Sequence, residues 1–438
     1  MRFKTFALLA LFFVVTFSFA QSTQANTNPK TLARQAVSEN AKESAGAINS
    51  LRAMGQAGLD AMFETYAEEI KQYAAGNQSA SWPRIASALD GVSQQRNSYA
   101  SRLYWHTDLA KAEAEARKSG KPILSLRLLG NLNEEFSCAN SRFFRTALYA
   151  NKAVSDVLRE RFVLHWKSVR PAPRVTIDYG DGRKLERTLT GNSIHYILDA
   201  EGGIVDALPG LYGPQGFLRG LTEAEAVVKQ IAGQNDVERV KILNRYHRDR
   251  VDAITRAWTA DAQKVGATIP ESITREAAEG ESFDARVAAR TAMTKAMSEN
   301  TIINAISHDV ILLKGTTDEA AWMKIASLHG KDARLDEDSI ALIRRQHANA
   351  KESPLAQEQL SRVVQNFERY LAFDTVRNEY TMHAQLHAWL ASVWGRRDVE
   401  SFNVKVYAEL FLTPGTDPWL GLYSPDTYTA LDGGGITK

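Results

Sequence analysis

Residues 121–144 read KPILSLRLLGNLNEEFSCANSRFF and contain the chain's only cysteine, Cys138. Lys121-Pro122 leads into Ile123–Leu129, an apolar run of strand length. Asn140–Tyr149 then reads as helical, which places Cys138 at a helix start. Upstream, TDLAKAEAEARKS (107–119) is an Ala-rich helix capped by Thr107 or Asp108 and ended by Gly120. Downstream, Asn151–Arg161 is helical and RFVLHWKSV (161–169) is a second strand. VTIDYGDGRKLERTLTG (175–191) is a hairpin turning at Gly180-Asp181-Gly182, and IHYILDAEGGIVDAL (194–208) is another, turning at Glu201-Gly202-Gly203. A helix then runs from Leu221 to about Ile231. This order of helices and strands predicts an α+β or α/β unit with a mixed sheet and flanking helices.

Two largely helical regions surround that unit. From about Thr31 to Ala75, residues Leu51, Met54, Leu59, Met62, Phe63 and Tyr66 recur at three- and four-residue intervals. Gly55 and Gly58 are expected to split this stretch into two helices. Another helix is expected from Pro83, in its first turn, to about Leu103. Beyond the unit, Val237–Val265, Phe283–Ile306, Glu319–Leu328, Glu337–Asn349 and Leu355–Trp394 read as helices. The tail, rich in Gly, Pro and aromatics, is expected to dock on the surface, because exposing Trp419, Leu420, Leu422 and Tyr423 is costly. The expected division is 31–98 helical, 99–222 for the mixed unit and 223–438 for a helical domain with its tail.

The ends and the charge restrict the class. Arg2 and Lys4 precede an apolar run from Phe6 to Phe17, and Ser18-Phe19-Ala20 supplies small residues for cleavage. Residues 1–20 therefore read as a secretory signal peptide, followed by a flexible leader over 21–30. A periplasmic or secreted location follows, with no membrane span in the mature form. The 53 Lys and Arg fall to 51 once Arg2 and Lys4 leave with the signal, matching the 51 Asp and Glu. No basic excess remains to capture nucleic acid. A single cysteine also excludes an internal disulfide.

Residues 99–222, a little over a quarter of the chain, resemble a thioredoxin-like domain of an exported type. The resemblance rests on Trp105 before the Ala-rich helix, on Lys121-Pro122 before ILSLRLL, and on the cysteine opening a helix. The strand FVLHW and the hairpin ILDAEGGIVDALPG, ending at Gly210, complete it. It implies a thiol at a helix N-terminus, where free N–H groups stabilise a thiolate. In a thioredoxin-type Cys-x-x-Cys site a second thiol resolves the mixed disulfide. Here Ser141 stands at that position, so Cys138-Ala139-Asn140-Ser141 is a monothiol C-x-x-S motif. Gly191-Asn192-Ser193 replaces the family's proline opposite the cysteine, Ser137 replaces the preceding aromatic, and the loop before Cys138 is longer.

The residues thus implied for catalysis are Cys138, Ser141 hydrogen-bonded to its thiolate, and His195, whose strand position brings it towards the thiol. Arg142 or Arg145 would favour the thiolate's charge. The alternative is that Cys138 is a buried packing residue among Phe136, Phe143 and Phe144. Function accordingly divides between monothiol disulfide exchange and non-catalytic partner binding, through a mixed disulfide in the first case and a helical surface in the second. No cofactor and no metal are expected. Glu379, His383 and His387, at i, i+4 and i+8, form a helical stripe able to share a divalent ion. No His-Glu-x-x-His motif accompanies it, and such a pair is more commonly a packed polar face. No nucleotide-binding glycine loop or Gly-x-Ser-x-Gly motif is present. Asp178–Gly182 lacks the bidentate acid of a calcium loop and reads as a turn.

Overall fold

The run ILSLRLL forms strand β1 (Ile123–Leu129), buried along its whole length. A strand covered on both faces is apolar almost throughout rather than alternating. Its two polar residues are bonded to each other and to the helical layer: the Arg127 guanidinium donates to Ser125 Oγ at 2.6 Å and to Glu400 at 2.8 Å. On one edge β2 (Val163–Arg170) pairs parallel to β1, and on the other β5 (Ile194–Leu198) pairs antiparallel. Strand β6 (Ile204–Pro209) lies antiparallel outside β5, giving the order β2-β1-β5-β6. The expected hairpin at Gly180–Gly182 forms as β3 (Arg174–Asp178) and β4 (Lys184–Thr188), a separate two-stranded ribbon.

This computed structural model describes residues 28–267, 295, 319–350, 357–392, 395, 397–419 and 430–431. The signal peptide with its cleavage site near Ala20, most of the leader, the expected helix Phe283–Ile306 apart from Lys295, and the tail residues Leu420, Leu422 and Tyr423 lie outside them.

Helices α1 (Pro29–Ala36), α2 (Ala41–Ala53), α3 (Gln56–Thr65), α4 (Ala67–Ala74) and α5 (Trp82–Ser93) make the N-terminal module. Its core contains Leu51, Leu59, Met62, Trp82, Ile85 and Leu89, whereas Met54 stands exposed. The expected two-helix split is corrected: Gly55 makes a break, Gly58 lies inside α3, and a further break falls at Tyr66. Nor does a helix reach Leu103. It stops at Ser93, where Gln94 adopts a left-handed φ of 60°.

Helix α6 (Leu109–Ser119) precedes β1. The Asp108 carboxylate caps it by accepting from the Lys111 N–H, and Gly120 ends it at φ +71°. Parallel β1 and β2 need a crossover, supplied by α7 (Ala139–Phe143), a π-helical turn at Phe144–Leu148 and α8 (Lys152–Arg161). After β6 comes α9 (Pro214–Ile231), which begins earlier than expected, with Pro214 in its first turn. The boundary expected at residue 222 falls inside this helix. Helix α10 (Asp236–Val265) and the helices Glu319–Leu328, Glu337–Ala350 and Gln357–Arg377 follow. The last continues through a π-helical turn, Asn378–His383, into Ala384–Ala391, and Val399–Lys405 continues into a second such turn, Val406–Leu410.

One hydrophobic core links the sheet to these helices: Leu126, Tyr196 and Phe217 share it with Trp258, Phe373 and Leu386. The chain is therefore a mixed α+β structure, with a four-stranded mixed sheet between helical N- and C-terminal regions. Among the described residues no helix is long and apolar enough to cross a membrane. The docked-tail expectation needs correction at Trp419, which is 46% exposed. It is the backbone just before it that is held, by the Arg170 guanidinium donating to the carbonyls of Asp417 and Pro418.

Candidate functional site

Cys138 caps α7, a helix of only 5 residues. The loop Gly130–Ser137 closes on itself before it: Gly130 turns at φ +72°, and the Cys138 N–H donates to the Leu129 carbonyl at 3.1 Å. Arg145 does not serve the thiol. Its guanidinium donates to the carbonyls of Glu134 and Glu135 and so organises the loop from behind. Burial pulls the Arg145 pKa down to about 10.

The sulfur is sealed. Cys138 has 0% exposure, and its Sγ lies 3.1 Å from Ser193 Oγ. Gly191 rests so closely on the cysteine that a Cβ there would come within 2.7 Å of Cys138 Cβ. The segment Gly191–Ser193 thus faces the cysteine. Outside it lies the turn Val406–Leu410. Tyr407 Oη donates to the Asn192 carbonyl at 2.8 Å, and the Asn192 amide donates to the Phe411 carbonyl at 3.1 Å.

Two expected site roles are corrected. Ser141 Oγ donates to the carbonyl of Cys138 at 2.9 Å, so its proton is spent on backbone rather than on the sulfur. His195 does not pair with the thiol: its Nε2 is 2.7 Å from Tyr149 Oη, and its ring packs on Phe144 and Phe217. Burial lowers its pKa to about 3, leaving it neutral. Nothing in the sequence foretold that Tyr149 would take this histidine.

The stripe Glu379, His383, His387 forms a second constellation. His383 Nδ1 lies 2.7 Å from Glu379 Oε2, and the rings of His383 and His387 are 4.2 Å apart. Two residues from other elements join them: Asp206 on β6 and His247 on α10. Asp206 Oδ1 accepts from the Ala207 N–H at 2.8 Å and lies 3.3 Å from His383 Nε2 and 3.8 Å from His387 Nε2. Its other oxygen accepts from Tyr246 Oη. Asp206 had a signal in the sequence, a charge inside the apolar run IVDAL. His247 sits in the polar stretch RYHRDR and had none.

Electrostatics divide these imidazoles. Burial disfavours the His383 cation, but the Glu379 and Asp206 carboxylates outweigh it and raise its pKa to about 10. For His247 burial wins, lowering the pKa to about 3, and burial together with the His383 charge holds His387 well below the usual imidazole value. Neutral His247 and His387 meet Nδ1 to Nδ1 at 2.8 Å, which requires one N–H and one lone pair. The two rings are therefore opposite tautomers.

In front of the cluster is a cavity of about 570 Å³, lined by Tyr212, Arg219, Glu223, Arg250, His329 and Glu379 among others. Its charges are matched. Arg219 pairs with Asp332 at 2.7 Å, and Arg250 with Glu223 and Glu379 at 3.0 and 2.8 Å. The chain matches no protein-family model, no curated protein and no solved structure.

Proposed function

We propose that the chain is an exported, non-catalytic binding protein in which a thioredoxin-like unit serves as scaffold and the helical region receives a protein partner. The scaffold reading is supported by the order of elements: a parallel β1–β2 pair joined by a helical crossover, followed by the antiparallel β5–β6 hairpin and α9. One observation carries the non-catalytic reading. Cys138 Sγ is fully buried beneath Ser193, and the chain's own Val406–Phe411 segment covers the adjoining backbone. Disulfide exchange needs a thiolate that a partner disulfide can reach, and no such approach is open here. The cavity, with both arginines already paired, favours a neutral or zwitterionic polar group over a ligand of net charge.

Monothiol exchange through Cys138 is the second reading, favoured by the cysteine's place at the start of α7. It requires the Val406–Phe411 segment to lift. Iodoacetamide labelling of the folded chain separates the two readings. Labelling only after denaturation is the expected result. Rapid labelling of folded protein, with trapped mixed disulfides, would overturn the binding-protein reading in favour of exchange.

A further inference from the structure

Asp206, His247 and His387 reach one another from β6, α10 and the helix Ala384–Ala391. One carboxylate oxygen and one nitrogen from each ring all lie within 4.8 Å of one another, and all three residues are buried. Of the four ring nitrogens on His247 and His387, the two Nδ1 atoms bond each other and the two Nε2 atoms have no hydrogen-bond partner. An unsatisfied buried polar atom costs roughly 1–3 kcal/mol, so two on adjacent rings call for an explanation. His387 Nε2 faces Asp206 Oδ1 across 3.8 Å, beyond hydrogen-bond reach. That gap is within the span of two metal–ligand bonds of about 2.0–2.1 Å each.

We propose that Asp206, His247 and His387 bind one divalent transition-metal ion of the zinc class, tying the sheet to the helical layer. Two neutral imidazoles and one carboxylate suit zinc and its neighbours, whereas calcium and magnesium take oxygen donors. As opposite tautomers the two rings coordinate through different nitrogens, one through its lone-pair Nε2 and the other through the Nδ1 lone pair that the ion takes over from the Nδ1–Nδ1 bond. The outer partners fit as well. Tyr246 and the Ala207 N–H bond the Asp206 oxygens, and His383 links Asp206 to Glu379. Such partners orient metal ligands and are nearly as important as the ligands themselves. The stripe read from sequence therefore changes role: His387 is a ligand, while Glu379 and His383 are occupied with each other. Glu379 also lines the cavity, so the cavity wall reaches Asp206 through Glu379 and His383.

The test is titration of the chelator-stripped full chain with Zn²⁺, followed by calorimetry and by its melting temperature. One Zn²⁺ per chain and a raised melting temperature are expected. H383Q should weaken binding roughly 10- to 100-fold, as an outer partner does, and H247Q and H387Q by more, with H106Q as an unaffected control. Retained affinity in an H247Q/H387Q double variant would overturn the assignment. Because buried variants can fail to fold, pulsed EPR of the Cu²⁺-loaded wild-type chain supplies an independent count. Two coordinated imidazoles are expected. No coordinated imidazole, or no Zn²⁺ bound at stoichiometric concentration, would mean a hydrogen-bonded histidine cluster only.

Discussion

Tyr407 donates its hydroxyl hydrogen to the carbonyl oxygen of Asn192 at 2.8 Å, both groups being buried. Through this contact the turn Val406–Leu410 is fastened to the backbone that carries Ser193 onto the sulfur of Cys138. Sequence positions more than two hundred residues apart thus decide whether the only thiol is reachable.

Tyr407→Phe removes the donor and leaves a buried carbonyl unsatisfied. The expected loss is about 1–3 kcal/mol in urea unfolding. Native-state labelling of Cys138 should also accelerate as the turn opens more often. A variant with wild-type stability and an unlabelled thiol would show that the cover is held elsewhere.

Gly191→Ala tests the other wall of the thiol chamber. The new Cβ would meet Cys138 Cβ at 2.7 Å and the Ala139 amide nitrogen at 3.0 Å. Overpacking of this kind costs about 1–3 kcal/mol. Adding Cys138→Ala should not relieve it, because alanine keeps the offending Cβ, whereas Cys138→Gly should restore part of the loss. Equal rescue by both substitutions would place the clash at the sulfur instead, and a double-mutant cycle reads the difference.

Much of the fold was legible because its local signals were strong. Asp108 and Gly120 bracket α6 with the cap chemistry expected of them, and the largely apolar run of β1 is what a doubly covered strand requires. The sites were less legible. The i, i+4, i+8 stripe correctly put Glu379, His383 and His387 on one line, but periodicity along one helix carries no information about what faces it. Asp206 and His247 arrive through tertiary packing. The same limit applied to His195: alternation placed it on β5, but only the π-helical turn after α7 positions Tyr149 to accept it.

Acid and base should each loosen the junction of α10 with the segment after Leu328. His329 contacts the carboxylates of Asp261 and Asp332. Burial opposes ionisation of Asp261, yet hydrogen bonds from Tyr380, His329 and Lys264 bring its pKa down to about 2. Its contribution is therefore present above the ordinary carboxylate value of about 3.9 and lost as pH falls towards 2. The His329 pKa is raised, chiefly by the Asp332 carboxylate and against burial. Its contribution is present below about 6.5 and lost as pH rises through the raised value. The stability gap between wild type and His329→Gln should accordingly be greatest between about pH 4 and 6.5. A partly exposed pair supports a gap of up to about 1 kcal/mol. A gap that stays constant from pH 3 to 9 in urea titrations would exclude this ion pair as its source.

Two glycines in neighbouring helices should respond to alanine with opposite signs. By propensity alone, Gly→Ala inside a helix stabilises by roughly 0.5–1 kcal/mol. At Gly46, on α2, no atom lies within 4 Å of the place an alanine methyl would take, so Gly46→Ala should gain that amount. Gly58, on α3, is where the two helices touch: an added Cβ would stand 2.7 Å from the Leu51 carbonyl carbon and closer still to its oxygen. Backbone cannot escape by changing rotamer, so the clash separates α2 from α3 and exposes the core around Leu51, Leu59 and Met62. Gly58→Ala should lose more than the roughly 1–3 kcal/mol of an ordinary overpacked side chain. Urea unfolding of both variants decides the matter. Stabilisation by both would mean that helix propensity outweighs the close approach and that α2 and α3 are not in contact at Gly58.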